Sequence, residues 1–176
     1  SNDSLIKFNQ KIANKYKAGL GLAYLADYIG KEHVDESIKT FFKYFKLNNV
    51  KVHDFESILK RSTDVDINWF FNDYVSTDRK IDFKIKKVKK DADSLHITLK
   101  NKEGTNVPIS VFGLKKDSVV SEYWFKDIEL EETFSIPNNQ EDRLVLNYDQ
   151  KIPEFNQRDN WKSLKGFLSS NKKLKF

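Results

Sequence analysis

The chain has 176 residues, of which 39% are hydrophobic and 14% aromatic, and this composition excludes global disorder. It contains no cysteine, which excludes disulfides, thiolate catalysis and cysteine-based structural zinc sites. The net charge of +5 comes from the five lysines of residues 161–176, because the rest of the chain is balanced. We therefore interpret residues 161–176 as a solvated basic tail, expect it to be disordered, and do not expect nucleic-acid binding.

Residues 1–79 predict a segment of four or five helices. Apolar residues recur at three- and four-residue steps in the first helix, at Leu5, Phe8, Ile12 and Tyr16. Residues 17–29 are nearly all apolar or small and predict a second helix that is buried on most sides. Its glycines, Gly19 and Gly21, favour close approach of a neighbouring backbone, and Gly30 is a natural end for it.

Three further helices are predicted before residue 79, at 34–45, 52–62 and 67–75. The apolar period changes from helical to alternating at residues 76–78. Six or seven short strands with turn residues between them follow in residues 80–160. This pattern predicts an α+β protein, with an N-terminal helical bundle segment and a C-terminal antiparallel, immunoglobulin-like β-sandwich.

No self-contained catalytic or metal site is predicted within the chain. The three histidines, His33, His53 and His96, form no HExxH pair, and we expect capping or surface roles for them. Glycine-rich phosphate loops and the Gly-x-Ser-x-Gly pattern are also absent. We therefore expect no cofactor and no metal in this segment, which should be catalytically silent alone.

The order of several short motifs nevertheless resembles one enzyme family. KYKAGLGLAYLADYIG (15–30) is followed by VDESIKTFFKYF (34–45), then by Asp54-Phe55 and by DINWFF (66–71). The strand residues LVLNYD (144–149) and the segment IPEFNQRDNW (152–161) close the pattern. Together they resemble the part of aminopeptidase N-like (gluzincin) zinc metallopeptidases that follows their zinc-binding helices.

The resemblance implies that the zinc ligands lie upstream, in HExxH and a later glutamate, and that the whole protein hydrolyses peptide bonds at N-termini. It also implies a tyrosine that donates a hydrogen bond to the tetrahedral oxyanion. Tyr16 is the candidate for this role. Counting back from Gly30 without a gap instead places Lys15 at that position, so the register is ambiguous. A packing role for Tyr16 against Ile12 and Leu20 is the structural alternative.

The resemblance implies two partners, the upstream zinc-binding part and a peptide substrate. A non-catalytic interaction or scaffolding module of a peptidase-like protein is the alternative function. The aromatic residues Tyr123, Trp124, Phe125 and Trp161 could bind carbohydrate or a partner, but core packing is the expected role. The tail could contact an anionic membrane or lead into a further domain. The sequence leaves the compartment open, with export or the cell envelope as the expectation.

Overall fold

The computed structural model describes residues 7–46 and 49–165, and side chains from residue 16 onward within those ranges. The chain divides into two compact units, residues 1–79 and residues 80–176. Helices make up the regular structure of the first unit and antiparallel sheets that of the second, which confirms the α+β class. No helix within the described ranges combines the length and apolarity needed to cross a membrane.

The described part of the first unit contains three α-helices and a short π-helix. They are α1 (Lys7–Ile29), α2 (Lys31–Phe45), α3 (Val52–Ser62) and the π-helix Phe70–Val75. The two helices predicted on either side of Lys17 are one continuous helix, because no capping or breaking residue separates them. Gly30 divides α1 from α2. Its N–H closes α1 on the Ala26 carbonyl at 3.0 Å, and its φ of 101° lies in the left-handed region that glycine tolerates.

Helices α2 and α3 pack through aromatic rings and a hydroxyl pair. The Phe41 ring lies edge-on to the Phe55 ring with centroids 5.6 Å apart, and Ser37 Oγ donates to Ser62 Oγ at 2.9 Å. Leu59 is fully buried. Helix α3 begins where the Asp54 carboxylate accepts the Lys51 N–H at 2.8 Å, which satisfies a donor that has no partner within the helix.

The second unit contains seven strands in two antiparallel sheets among its described residues. They are β1 (Phe83–Lys90), β2 (Ser94–Asn101), β3 (Ile109–Lys115), β4 (Ser118–Phe125), β5 (Glu131–Pro137), β6 (Arg143–Leu146) and β7 (Trp161–Ser163). One sheet has the order β1-β2-β5 and the other the order β4-β3-β6-β7. The two sheets meet at Phe125 and Phe134, whose ring centroids are 4.3 Å apart.

The alternating pattern of the sequence has a direct counterpart in strand β2. Leu95, Ile97 and Leu99 are fully buried, whereas the residues between them are half-buried, as expected for a strand with one core-facing side. Strand β3 differs, because its residues from Ile109 to Leu114 are all buried. Phe112 and Leu114 of this strand form a cluster with Val145 of β6, against which Trp161 packs.

Three further expectations differ from the structure. Residues 17–20 of α1 are exposed rather than buried on most sides, and only one face of the helix is buried from Gly21 onward. Gly21 lies against the ring of Tyr74 and not against a neighbouring backbone, and a Cβ added at Gly19 has no atom within 4 Å. The first residues of the expected tail, Trp161–Ser163, form β7 because they complete the edge of β6 and because the Trp161 ring covers apolar side chains. Residues 166–176, where we expect disorder, lie outside the described residues.

Candidate functional site

The candidate tyrosine lies on an exposed stretch of α1. The side chain of Tyr16 is 75% exposed, and the four residues that follow it are exposed as well. A methyl group added at Gly19 would meet no atom within 4 Å, so this side of the helix is open. The Tyr16 phenol is therefore free to meet a group supplied from elsewhere. The Lys15 side chain, the alternative at this position, lies outside the described residues.

The helical turn that carries Tyr16 is fastened to the π-helix by Tyr74. The Tyr74 hydroxyl donates to the Lys17 carbonyl at 3.1 Å, one residue after Tyr16. Burial raises the pKa of the Tyr74 phenol, so this group keeps its proton and remains a donor at neutral pH. This hydrogen bond restricts the position of that turn relative to the π-helix, because its strength depends on distance and angle.

The Lys17 side chain makes a second connection in the same place. Its Nζ donates to the Thr77 carbonyl at 3.2 Å and lies 5.9 Å from the centroid of the Tyr74 ring. The same ammonium lies 3.8 Å from an Asp78 carboxylate oxygen, but both side chains are well exposed, so this ion pair adds little stability. The hydrogen bonds to the Lys17 and Thr77 carbonyls therefore hold the turn more than the Lys17–Asp78 ion pair does.

A group of aromatic rings supports Tyr74 from behind. The Tyr24 ring lies 4.7 Å from the ring of Trp69 and 6.0 Å from the ring of Tyr74, measured between centroids. The Phe70 ring stacks on Tyr74 at 5.6 Å. Gly21 belongs to this arrangement, because a Cβ there would overlap Cε1 of Tyr74 and lie 3.2 Å from its Cζ. The aromatic run of residues 69–74 was visible in the sequence, but its contact with Lys17 was not.

The aromatic residues of the second unit are parts of its packing. Phe125 contacts Phe134, and Trp124 and Tyr123 are half-buried. Trp124 Nε1 donates to the Glu122 carboxylate at 3.2 Å, and the Tyr123 hydroxyl accepts from Asn139 Nδ2 at 3.2 Å. These contacts favour the packing role that we expected over a binding role.

A buried carboxyl group in the second unit was not singled out from the sequence. Glu154 is 9% exposed, and its oxygens accept hydrogen bonds from the Phe83 N–H at 3.1 Å, Asn160 Nδ2 at 2.5 Å and Asn147 Nδ2 at 3.3 Å. Burial raises the pKa of Glu154 to about 7, although these three hydrogen bonds act in the opposite direction. The only hint in the sequence was the resemblance of IPEFNQRDNW to a family segment.

The described residues do not contain a donor set for a metal ion. Within them, no group of three or more histidine, aspartate or glutamate side chains lies close enough to hold one. His33 lies within α2, His53 Nδ1 pairs with Ser57 Oγ at 2.9 Å on α3, and His96 Nε2 contacts Asp91 at 2.8 Å. The three histidines are thus on separate elements. Zinc therefore does not fit the residues that the structure describes.

Comparison with known proteins gives a likeness of fold. No family model and no curated protein sequence matches the chain. Among solved structures, the chain is similar to that of Legionella pneumophila aminopeptidase A in complex with aspartic acid, with a TM-score of 0.65 and 19% identity. The match covers 79% of this chain but only 17% of that one. The α+β fold is therefore shared with a segment of a much longer aminopeptidase.

Proposed function

We propose that the chain is the C-terminal part of a zinc aminopeptidase-like protein of the gluzincin type. The whole protein would hydrolyse peptide bonds at N-termini, and this part would be inactive alone. Residues 1–79 would belong to the catalytic domain, and the two sheets of residues 80–160 would form an immunoglobulin-like sandwich. The likeness of fold to a segment of an aminopeptidase is the observation that carries this proposal. The motif order in residues 15–161 supports it independently.

The upstream part of the same protein would hold the zinc. When bound there, zinc would polarise the scissile carbonyl and activate water. No residue described in this chain is assigned to that chemistry, because the donor set is absent from the described part. The contribution of this chain would be a wall of the substrate cleft and the turn of α1 that presents Tyr16.

Tyr16 would donate a hydrogen bond to the oxyanion that develops on the peptide carbonyl. Its exposure leaves the phenol available, and the Tyr74–Lys17 contact restricts the turn on which it lies. A donor already in place gains strength as negative charge appears on the oxygen, so it favours the transition state over the substrate. Removing one such donor typically costs about 100- to 1000-fold in kcat.

The exposed side of α1 supports the proposed partner. Tyr16, Gly19, Leu20 and Ala23 occur at three- and four-residue steps and are all exposed. A stripe of small and apolar residues with this spacing is suited to close packing against another helix. The upstream zinc-binding part would cover it, and the peptide substrate would lie between the two parts. A membrane or further-domain contact through the basic tail of residues 161–176 stays a prediction, since residues 166–176 lie outside the described ranges.

A comparison of two proteins tests the proposal. One is this chain, and the other is the longer polypeptide that includes the residues upstream of it. We expect the longer protein to carry one zinc ion by elemental analysis and to release the chromophore from aminoacyl nitroanilides, with loss of activity on chelation. We expect this chain to do neither. Chelator-sensitive hydrolysis by the 176-residue chain alone would refute the proposed division of labour.

Substitutions in the longer protein test the role of Tyr16. Tyr16→Phe should lower kcat by about 100- to 1000-fold with little change in KM, because the lost bond forms in the transition state. Tyr44→Phe is the matched control, since Tyr44 is 65% exposed on α2 and has no proposed role. Equal activity of the two variants would exclude Tyr16 as the hydrogen-bond donor to the oxyanion. A longer protein with no zinc and no activity would favour the alternative function, a non-catalytic interaction module. The register that places Lys15 at the tyrosine position also favours this alternative, because the tyrosine would then be missing.

A further inference from the structure

Glu154 connects three parts of the second unit. Phe83, which donates to one of its oxygens, begins β1, whereas Asn147 directly follows β6 and Asn160 directly precedes β7. Asn147 and Asn160 are each 3% exposed. The side chain of Glu154 therefore lies next to the end of β6 and next to the starts of β1 and β7.

Among the residues that the structure describes, the groups that contact this carboxyl carry no positive charge. Its three hydrogen-bond donors are a backbone N–H and two neutral side-chain amides. The charged residue that acts on it is Asp82, which repels a carboxylate at this position. The ammonium of Lys102 contacts Asp82 at 3.0 Å and Asp159 at 3.2 Å, and Glu154 has no ion pair among the described residues. A buried carboxylate without a counter-charge is costly, and such a group takes up a proton instead.

The geometry of the Asn160 amide fits a proton on Glu154. Its Nδ2 lies 2.5 Å from Glu154 Oε2, which is below the usual range for an N–H···O bond and at the lower limit of the range for an O–H···O bond. Its Oδ1 is buried and accepts no hydrogen bond. Rotation of the amide by half a turn exchanges these two atoms. The oxygen then accepts a hydrogen bond from the protonated carboxyl, and the amide nitrogen takes the buried place that Oδ1 occupied.

We propose that Glu154 is a pH-dependent switch. In its neutral form it holds residues 152–160 against the start of β1, and it releases them when it ionises. The contacts that it controls are the pairing of Ile81 with Glu154 and the hydrogen bond from the Phe155 N–H to the Ile81 carbonyl at 2.8 Å. Ile81 and Phe83 are among the first residues of the second unit. Ionisation of Glu154 would therefore loosen the start of β1, the first strand of this unit.

The test uses the full 176-residue chain, labelled with carbon-13 and nitrogen-15. Nuclear magnetic resonance follows the Glu154 side-chain carboxyl carbon and the exchange rates of the Phe83 and Phe155 amides from about pH 5 to about pH 9. We expect the carboxyl signal to titrate near neutrality. We also expect exchange of both amides to rise at least about tenfold beyond the ordinary effect of base over that range. Glu154→Gln should remove the additional rise.

Glu103→Gln is the matched control, because Glu103 is an exposed glutamate of the same unit. It should leave the additional rise unchanged. If Glu154→Gln does not fold, the titration of the Glu154 carboxyl signal in the wild type still shows at which pH this group loses its proton. A Glu154 signal that titrates below about pH 5 would overturn the proposal. The proposal would also be wrong if Glu154 ionised while the exchange rates of the Phe83 and Phe155 amides rose only by the ordinary effect of base.

Discussion

Two glycines of α1 provide a sharp test of the packing around the candidate site, because their substitution by alanine should have opposite effects. Alanine is about 1 kcal/mol better than glycine in a helix interior. At Gly19 nothing lies within 4 Å of the new methyl group, so Gly19→Ala should stabilise the first unit by nearly this amount. At Gly21 the methyl group would overlap the Tyr74 ring.

The Tyr74 ring has little room to move away from a methyl group at Gly21. It is 6% exposed, its hydroxyl is bonded to the Lys17 carbonyl, and Phe70 stacks on one face. Overpacking costs about 1–3 kcal/mol, and loss of the hydroxyl bond about 1 kcal/mol more. After the gain in helix propensity, Gly21→Ala should destabilise the first unit by about 2 kcal/mol.

The assay is urea unfolding of both variants, followed by circular dichroism at the helical band. The α-helices of the described residues all lie in the first unit, so this signal reports on that unit. The free energies of unfolding of the two variants should differ by about 3 kcal/mol. Equal stabilisation by both substitutions would show that Tyr74 does not pack on Gly21. The support proposed for the Tyr16 turn would then be wrong.

Three further predictions concern stability. The folded state binds the Glu154 proton more tightly, with a pKa of about 7 against 4.5, so stability should fall by about 3 kcal/mol as pH rises between these values. Urea unfolding at several pH values should show this slope in the wild type but not in Glu154→Gln, and a flat wild-type profile would contradict it. Leu99→Ala should cost about 2–4 kcal/mol in tryptophan-detected unfolding, whereas exposed Val119→Ala should cost less than about 0.5 kcal/mol. Tyr16→Phe should likewise change stability by less than about 0.5 kcal/mol, and a larger loss would indicate a packing role.

The sequence was sufficient to predict the elements whose apolar period repeats for several residues. The alternation in residues 94–101 predicted β2, and the apolar stripe of residues 52–62 predicted α3. The uniform apolar character of residues 17–29 was less informative, because it predicts burial without telling which side is buried. The short β7 escaped prediction, since three residues carry no detectable period and are held by pairing with β6.

The contacts of the candidate site depend on residues that are far apart in the chain. Tyr74 and Lys17 are separated by 57 positions, and Glu154 and Phe83 by 71. No local pattern connects such pairs, so sequence reasoning identified Gly21 as a place of close approach but not Tyr74 as its neighbour. The same limit applies to Glu154, whose raised pKa comes from burial among residues that lie far apart in the chain or in loops.

Helix geometry gives a reason to prefer Tyr16 over Lys15 as the residue that faces a partner. Successive residues of an α-helix are about 100° apart around its axis. Tyr16 therefore lies on the same side as the exposed residues Gly19, Leu20 and Ala23, and opposite the buried side that Tyr24, Leu25 and Ile29 define. Position 15 lies about 100° away from position 16, at the flank of this stripe. If the upstream part covers the exposed side of α1, Tyr16 faces that part directly, and the ungapped count from Gly30 is the weaker guide to the register.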